Sequence, residues 1–476
     1  LLQARINREV CREAIIKLNE DLLADCPTCI LQKQQCLPNL TSQQHILLSN
    51  KPLAFPSTRS YDGVATYLSA DSNQAINSCL AAEARSSSLV HKVKCHISGS
   101  LRGISASNIH DSWADLFEIS LTLATAIIAS WFICYLILRY ENLHAHLSHD
   151  PIQPGIQKFH SQPTPRIGGI AIMAGLLAVT ALEIILHAAS SPINNVISFF
   201  MIASLPVFLG GITEDVTKNV SVAQRLLLSL LSAAIAIWLL GALINRTDIP
   251  VLDSAIAWLP FTIALTALII SGTCNAINII DGYNGLSSGY SIITLVAMSV
   301  IAYLVNDHTV MIISLAMMGS LLGFMSWNWP RGKIFMGDGG AYLLGFTLAE
   351  LAVLLLYRNP SVSPWAPFCL LAYPVFETLF SVYRRRFLHK TKASQPDSMH
   401  LHHLIFTKIL RSYATTNFDE VTKKNSAVAP LILIPACINA IIILCFWQST
   451  LILLPLFIAV CVLYVITYYK LIALPD

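Results

Sequence analysis

From Leu116 onward the chain is a succession of apolar stretches, each about 17–23 residues long and separated by short polar connections. That length is what an α-helix needs to cross the hydrocarbon core of a bilayer. In such a medium every backbone polar group must be satisfied within the segment, so helices are the default element. Spans are expected near 116–138, 168–187, 195–211, 226–244, 256–274, 287–305, 310–328, 341–357, 367–383, 429–447 and 450–469. The fold class expected is therefore all-α, a polytopic transmembrane bundle of ten or eleven helices. Composition agrees: 55% of the residues are hydrophobic and 12% charged, where a soluble domain carries about 25% charged. A polytopic membrane protein, not a soluble enzyme, is the default expectation. The net charge of +3 is too balanced for a nucleic-acid binder.

The few charges are unevenly placed. Counting from the first span, the odd connections (139–167, 212–225, 275–286, 329–340 and 384–428) and the tail after the last span hold 17 Lys and Arg. The even connections hold 2, Arg246 and Arg358. By the positive-inside rule the odd connections face the cytoplasm, the C-terminus is cytoplasmic and the N-terminal segment lies outside. Two regions follow: a polar extension, 1–115, and a membrane body, 116–476, with a long cytoplasmic loop at 384–428. The extension has no signal-peptide pattern and starts at Leu1. It reads as an extracytoplasmic extension or as residues upstream of the true start. Its Cys26-x-x-Cys29 and Cys36 lack a His or Cys pair to complete a zinc site, so free or disulfide-bonded thiols are expected.

Four polar clusters fall on odd connections and none on even ones, which points to an enzyme with a cytoplasmic active site. The first is Glu214-Asp215-x-x-Lys218. Adjacent carboxylates can hold a hard divalent cation and the lysine a phosphate; a solvated helix end with an i,i+4 ion pair is the plainer reading. In the second, Asn275, Asn278 and Asp281 recur every three residues and so share one helix face, ahead of Gly282, Asn284 and Gly285. Such an array offers amides and a carboxylate to a polar ligand. The third is Met336-Gly337-Asp338-Gly339-Gly340, preceded by Trp327-Asn328-Trp329-Pro330. Glycines around one aspartate let metal–phosphate groups approach closely, while an ordinary tight turn is the alternative. The fourth is His400-Leu401-His402-His403. A transition-metal site and a phosphate- or sugar-binding site both stand for it, although the adjacent His402 and His403 should point apart on a helix. Arg384-Arg385-Arg386 reads as a topology and headgroup-contact element. The span acids Glu183, Glu350 and Glu377 are expected to be paired structurally, Glu377 with Arg384 two turns away.

The combination resembles the polyprenyl-phosphate N-acetylhexosamine-1-phosphate transferases, relatives of phospho-MurNAc-pentapeptide translocase. The resemblance runs from the first span to about residue 411. His160-Ser161-Gln162-Pro163-Thr164-Pro165-Arg166-Ile167-Gly168-Gly169 resembles the family's first cytoplasmic loop. Glu214-Asp215-x-x-Lys218 resembles its Asp-Asp-x-x-Lys motif, with Glu in the first place. Asn275-x-x-Asn278-x-x-Asp281-Gly282, Met336-Gly337-Asp338 and His400-Leu401-His402-His403 resemble three further motifs, the last in the form of the N-acetylglucosamine-using branch. Asn284 stands where many relatives carry a second aspartate, which changes the polarity of any nucleobase contact there.

The resemblance implies a bacterial inner-membrane enzyme. It would move N-acetylhexosamine-1-phosphate from a cytoplasmic UDP-sugar to undecaprenyl phosphate, releasing UMP and opening the synthesis of a cell-surface glycan. It implies Mg²⁺, with Mn²⁺ as a substitute, held by Asp338 and secondarily by Asp215. Glu214, Asp215, Lys218 and Asp281 are the expected catalytic residues. Asn275, Asn278, Asn284, Asn328, His400, His402 and His403 are the expected substrate contacts. The partners are the two substrates and membrane lipid, with no nucleic acid; a homodimer is allowed. Attack by the already ionised lipid phosphate in one step is the simpler mechanism, and a covalent phospho-aspartate the alternative. A transporter or lipid flippase is the competing class, but it would place polar residues at the midplane on broken helices rather than at one surface.

Overall fold

The protein is described here from a computed structural model, which covers residues 106–150, 163–187, 191–388, 397, 399–410 and 418–475. The cysteines of the N-terminal extension and His160, Ser161 and Gln162 lie outside the described residues.

The chain forms an all-α bundle. In order, its helices are α1 (Ala106–Arg139), α2 (Glu141–Ser148), α3 (Gly168–Leu186), α4 (Pro192–Thr217), α5 (Val222–Leu240), α6 (Pro250–Ile256), α7 (Leu259–Ile280), α8 (Leu286–Leu304), α9 (His308–Asn328), α10 (Gly337–Arg358), α11 (Trp365–Leu370), α12 (Ala372–Tyr383), α13 (Leu401–Leu404), α14 (Phe418–Phe446) and α15 (Thr450–Ile472). A short antiparallel pair, β1 (His149–Asp150) with β2 (Thr164–Pro165), joins α2 to α3. Ten helices among the described residues are long and apolar enough to span a membrane. The remaining expected span, 367–383, the ninth in chain order, is broken into α11 and α12.

The break follows from Pro374, whose ring conflicts with the carbonyl four residues earlier, that of Leu370. In an apolar medium a freed carbonyl needs a donor. Tyr290 Oη (2.8 Å) and Thr294 Oγ1 (3.2 Å), both on α8, donate to Leu370 O. Asn439 Nδ2 of α14 donates to the neighbouring Cys369 O at 3.0 Å. The kink is held by neighbouring helices.

α10 is the axis of the bundle: 94% of its apolar stretch is buried, against 11% for α15. It packs against α4 and α7, with α3 alongside. Close approach is bought with glycine: a Cβ on Gly211 would lie 2.5 Å from Gly339 Cα, and one on Gly169 would strike Gly340. Small residues thus bring three helix ends together at one point. The starts of α3, α5, α8 and α10 and the ends of α4, α7, α9 and α12 share that end of the bundle.

Candidate active site at one end of the bundle

The four polar clusters meet at this end. Asp338 opens α10 after Gly337, whose φ of 73° starts the helix; the turn alternative gives way to a helix N-terminus. The first N–H groups of a helix have no partner of their own. Asp215, in the last turn of α4, supplies one: Oδ1 accepts from Asp338 N and Oδ2 from Gly339 N, both at 2.8 Å. Asp215 is 1% exposed. Its carboxylate caps the helix that presents Asp338.

Asp338 is gripped by two arginines. Arg225 Nη1 pairs with Oδ2, and Arg166 Nη2 lies 3.4 Å from Oδ1 and 3.8 Å from Asp215 Oδ1. Arg225 is placed by the capping box that starts α5, Ser221 with Gln224, the residue just before it. Arg166 is placed by a backbone ladder: Phe335 N donates to Pro165 O, Gly168 N to Phe335 O and Gly169 N to Met336 O.

Asn275 and Asn278 share the face expected of them and meet Tyr342, one turn after Asp338. Tyr342 Oη donates to Asn275 Oδ1 at 3.1 Å and is also hydrogen-bonded to the Asn278 side chain. Asp281 ends α7 half-buried. Burial pushes its carboxyl up to about 6, against the opposing effect of the Ser287 hydroxyl, which donates to Oδ1. Glu214 accepts from Val220 N at 2.7 Å, closing the turn after α4, and Lys218 ends that helix with a left-handed φ of 56°.

Two expected substrate contacts turn inward instead. Asn328 Oδ1 accepts from Gly285 N (2.7 Å) while its Nδ2 donates to Ile334 O (2.9 Å). Asn284 N donates to Asn425 Oδ1 (3.0 Å) and its Nδ2 to Pro330 O (3.2 Å). Both are buried and staple the loop after α7 to the loop after α9.

The histidine cluster is built on its own scaffold. His402 and His403 do not point apart: their ring centroids are 4.6 Å apart, and both pack edge-on against Tyr283. His403 Nδ1 hydrogen-bonds Tyr283 Oη at 2.9 Å and His402 Nδ1 hydrogen-bonds Tyr373 Oη at 3.1 Å. Burial holds the His402 ring well below its usual range and brings His403 down to about 4. Both are neutral at pH 7. His402 Nε2 is buried with no partner among the described residues and faces Gly282.

His400 pairs with Glu377 Oε1 at 2.8 Å, and Leu401 N donates to the same carboxylate. The expected Glu377–Arg384 pair is replaced by this one, because Arg384 is engaged elsewhere. It is buried, pairs with Asp397 and donates to Met399 O at 2.6 Å. A headgroup role for Arg384 is thereby overturned: it anchors the histidine segment. Glu183 Oε2 comes within 3.2 Å of His187 Nδ1, but neither Glu183 nor Glu350 has a side-chain hydrogen-bond partner among the described residues.

Arg225, Tyr342 and Tyr373 were not singled out by sequence reasoning. Tyr342 had a signal, an aromatic hydroxyl four residues beyond Asp338 on the same helix face. Arg225 had only its place at the mouth of a span.

Asp215, Arg225, Asn275, Asn278, Asp281, Asp338 and Tyr342 all lie in one matched segment: residues 196–356 match the glycosyl transferase family 4 profile. The chain is also 35% identical over 255 residues to the probable undecaprenyl-phosphate N-acetylglucosaminyl 1-phosphate transferase of Bacillus subtilis, covering 53% of this chain and 68% of that protein. The chain belongs to glycosyl transferase family 4. Within the family it is similar to the undecaprenyl-phosphate alpha-N-acetylglucosaminyl 1-phosphate transferase of Thermotoga maritima, 27% identical over 257 residues, 54% of this chain and 73% of that one. It is also similar to a phospho-N-acetylmuramoyl-pentapeptide-transferase of Bacillus mycoides, 31% identical over 206 residues, 40% and 61% of the two chains. The histidine segment and Arg166 lie outside the profile match, which holds Asp215, Arg225, Asp281 and Asp338.

Proposed function

We propose that this family 4 transferase moves N-acetylglucosamine-1-phosphate from a UDP-sugar to a polyprenyl phosphate, undecaprenyl phosphate in a bacterial inner membrane. The observation that carries the reading is Asp338 set between Arg166 and Arg225 on a helix N-terminus capped by Asp215. The relatives' names supply the substrate class. The biased Lys and Arg distribution supports a cytoplasmic position for this end of the bundle.

The donor set fits Mg²⁺ or Mn²⁺. Among the described residues no trio of His, Cys, Asp and Glu surrounds Asp338, but Mg²⁺ takes one or two carboxylates and draws its other ligands from water and substrate phosphates. Asp338 would hold the ion. When bound, the ion neutralises the donor diphosphate and the charge developing at the attacked phosphorus.

The chain's own residues do the rest. The Arg166 and Arg225 guanidiniums, beside the carboxylate that would hold the ion, are placed to hold phosphate oxygens. Neutral His402 offers Nε2 to the sugar or a phosphate. Asn275, Asn278 and Tyr342 form the polar wall between α7 and α10. An oxygen of the ionised lipid phosphate bonds to the sugar-bearing phosphorus, the phosphoanhydride bond breaks, and its electron pair leaves with UMP. Asp215 is a poor nucleophile, since both its oxygens already accept backbone hydrogen bonds, which favours direct attack over a phospho-aspartate.

The test is UMP release by purified protein given UDP-N-acetylglucosamine, undecaprenyl phosphate and Mg²⁺. Asp338→Asn is expected to reduce turnover to background while still unfolding cooperatively. Full activity in that variant would remove Asp338 from the ion site, and no UMP from the wild type with any UDP-N-acetylhexosamine would end the reading.

A further inference from the structure

At the far end of α3 a second group of ligand-type side chains comes together, apart from the site already described. α3 starts against Asp338's loop and runs 19 residues, so its C-terminus lies about 28 Å away along the helix axis. There Glu118 of α1, Glu183 of α3 and His187, the residue that ends α3, bring one ligand atom each within 4.8 Å of one another. No other such group occurs among the described residues.

Proximity of acids is not a site in itself, but Glu183 adds an independent observation. Its side chain is fully buried, and neither carboxylate oxygen has a hydrogen-bond partner among the described residues. The nearest cationic candidate is His187 Nδ1, 3.2 Å from Oε2 but outside hydrogen-bond geometry. A carboxylate shielded from water and aimed at an imidazole and a second carboxylate lacks what would stabilise its charge. Glu118, which carries the same sign, makes the deficit larger. A cation among the three supplies it.

We propose that Glu118, Glu183 and His187 form a second divalent-metal site on the face of the bundle opposite the transferase centre. One imidazole with two carboxylates suits zinc and its transition-metal neighbours, whereas Mg²⁺ and Ca²⁺ favour all-oxygen shells. Three protein ligands leave one position for water. His187 is 44% exposed, which gives the ion a route from solvent. The ligands come from two helices, so the ion ties α1 to α3. Its role is to clip the two helices together rather than to take part in transfer.

The experiment uses the full chain in detergent, stripped with a chelator and with accessible thiols alkylated so that cysteines do not take up metal. Zn²⁺ binding is followed by calorimetric titration and by the thermal unfolding midpoint, for wild type, His187→Ala and Glu183→Gln. The wild type is expected to bind one Zn²⁺ more than either variant, and to gain thermal stability on binding that neither variant gains. Any residual affinity at this site in the variants should be at least about tenfold weaker. Both substitutions are tolerable without metal: His187 ends a helix at the surface, and Gln removes a buried charge that has no hydrogen bond. Equal Zn²⁺ binding by wild type and both variants would overturn the site, as would a wild type with no saturable binding. Loss of the extra ion in the variants with UMP release unchanged would support a clip separate from the transferase centre.

Discussion

Asp215 and Asp338 are 123 residues apart in sequence, and their division of labour is set by what surrounds each carboxylate. Asp215 spends both oxygens on backbone N–H groups, so its function is to hold the start of α10. Losing a helix cap costs about 0.5–2 kcal/mol. Asp215→Ala is therefore expected to lower the thermal midpoint together with activity, whereas Asp338→Asn acts on turnover; a normal midpoint in Asp215→Ala would refute the capping role. Asp281 makes a prediction about pH. Its carboxyl is raised to about 6 by burial, so at pH 5 about a tenth of the molecules carry the carboxylate. If the ionised form serves the donor pocket, kcat/KM rises with pH through about 6. Ser287→Ala deletes a hydrogen bond that favours the carboxylate, worth about 1 kcal/mol, and should move that limb up by less than about one pH unit. An unmoved or lowered limb in the variant would assign it to another group.

At the scale of elements, the spans were legible because bilayer thickness forces a minimum apolar length, and ten of them recur as long helices. The polar clusters were legible because amides and acids at helix ends are costly unless used. Three things were not. Arg225 meets Asp338 across 113 residues, and no local pattern encodes a contact between helices that distant. Asn284 and Asn328 carry the same chemistry as Asn275 and Asn278, yet only packing decides which amides face inward to backbone partners. The break in the span 367–383 depended on Pro374 finding donors on α8. That last point is testable. Tyr290→Phe leaves Thr294 bonded to Leu370 O and should cost about 0.6 kcal/mol, a typical interhelical hydrogen bond in a membrane. Tyr290→Phe with Thr294→Val strands the carbonyl and should cost about 1–3 kcal/mol. Denaturant unfolding in mixed micelles reads both; a double variant no worse than the single one would mean that these hydroxyls do not hold the kink.

For the molecule as a whole, the central observation is one-sidedness. Glycine contacts among α3, α4 and α10 draw helix ends together, and the acids, arginines, amides and histidines of the four polar clusters converge on that end. Such an arrangement suits a soluble anionic donor meeting an acceptor whose lipid tail lies in the bilayer. In sugar-1-phosphate transfer the sugar and its phosphate move together. UDP-N-acetylglucosamine labelled with ³²P in the phosphate attached to the sugar tests this directly. After incubation with undecaprenyl phosphate and Mg²⁺, the label should pass into the organic phase in step with the sugar, leaving unlabelled UMP in the water. Sugar in the lipid with the label left behind on the nucleotide would contradict it.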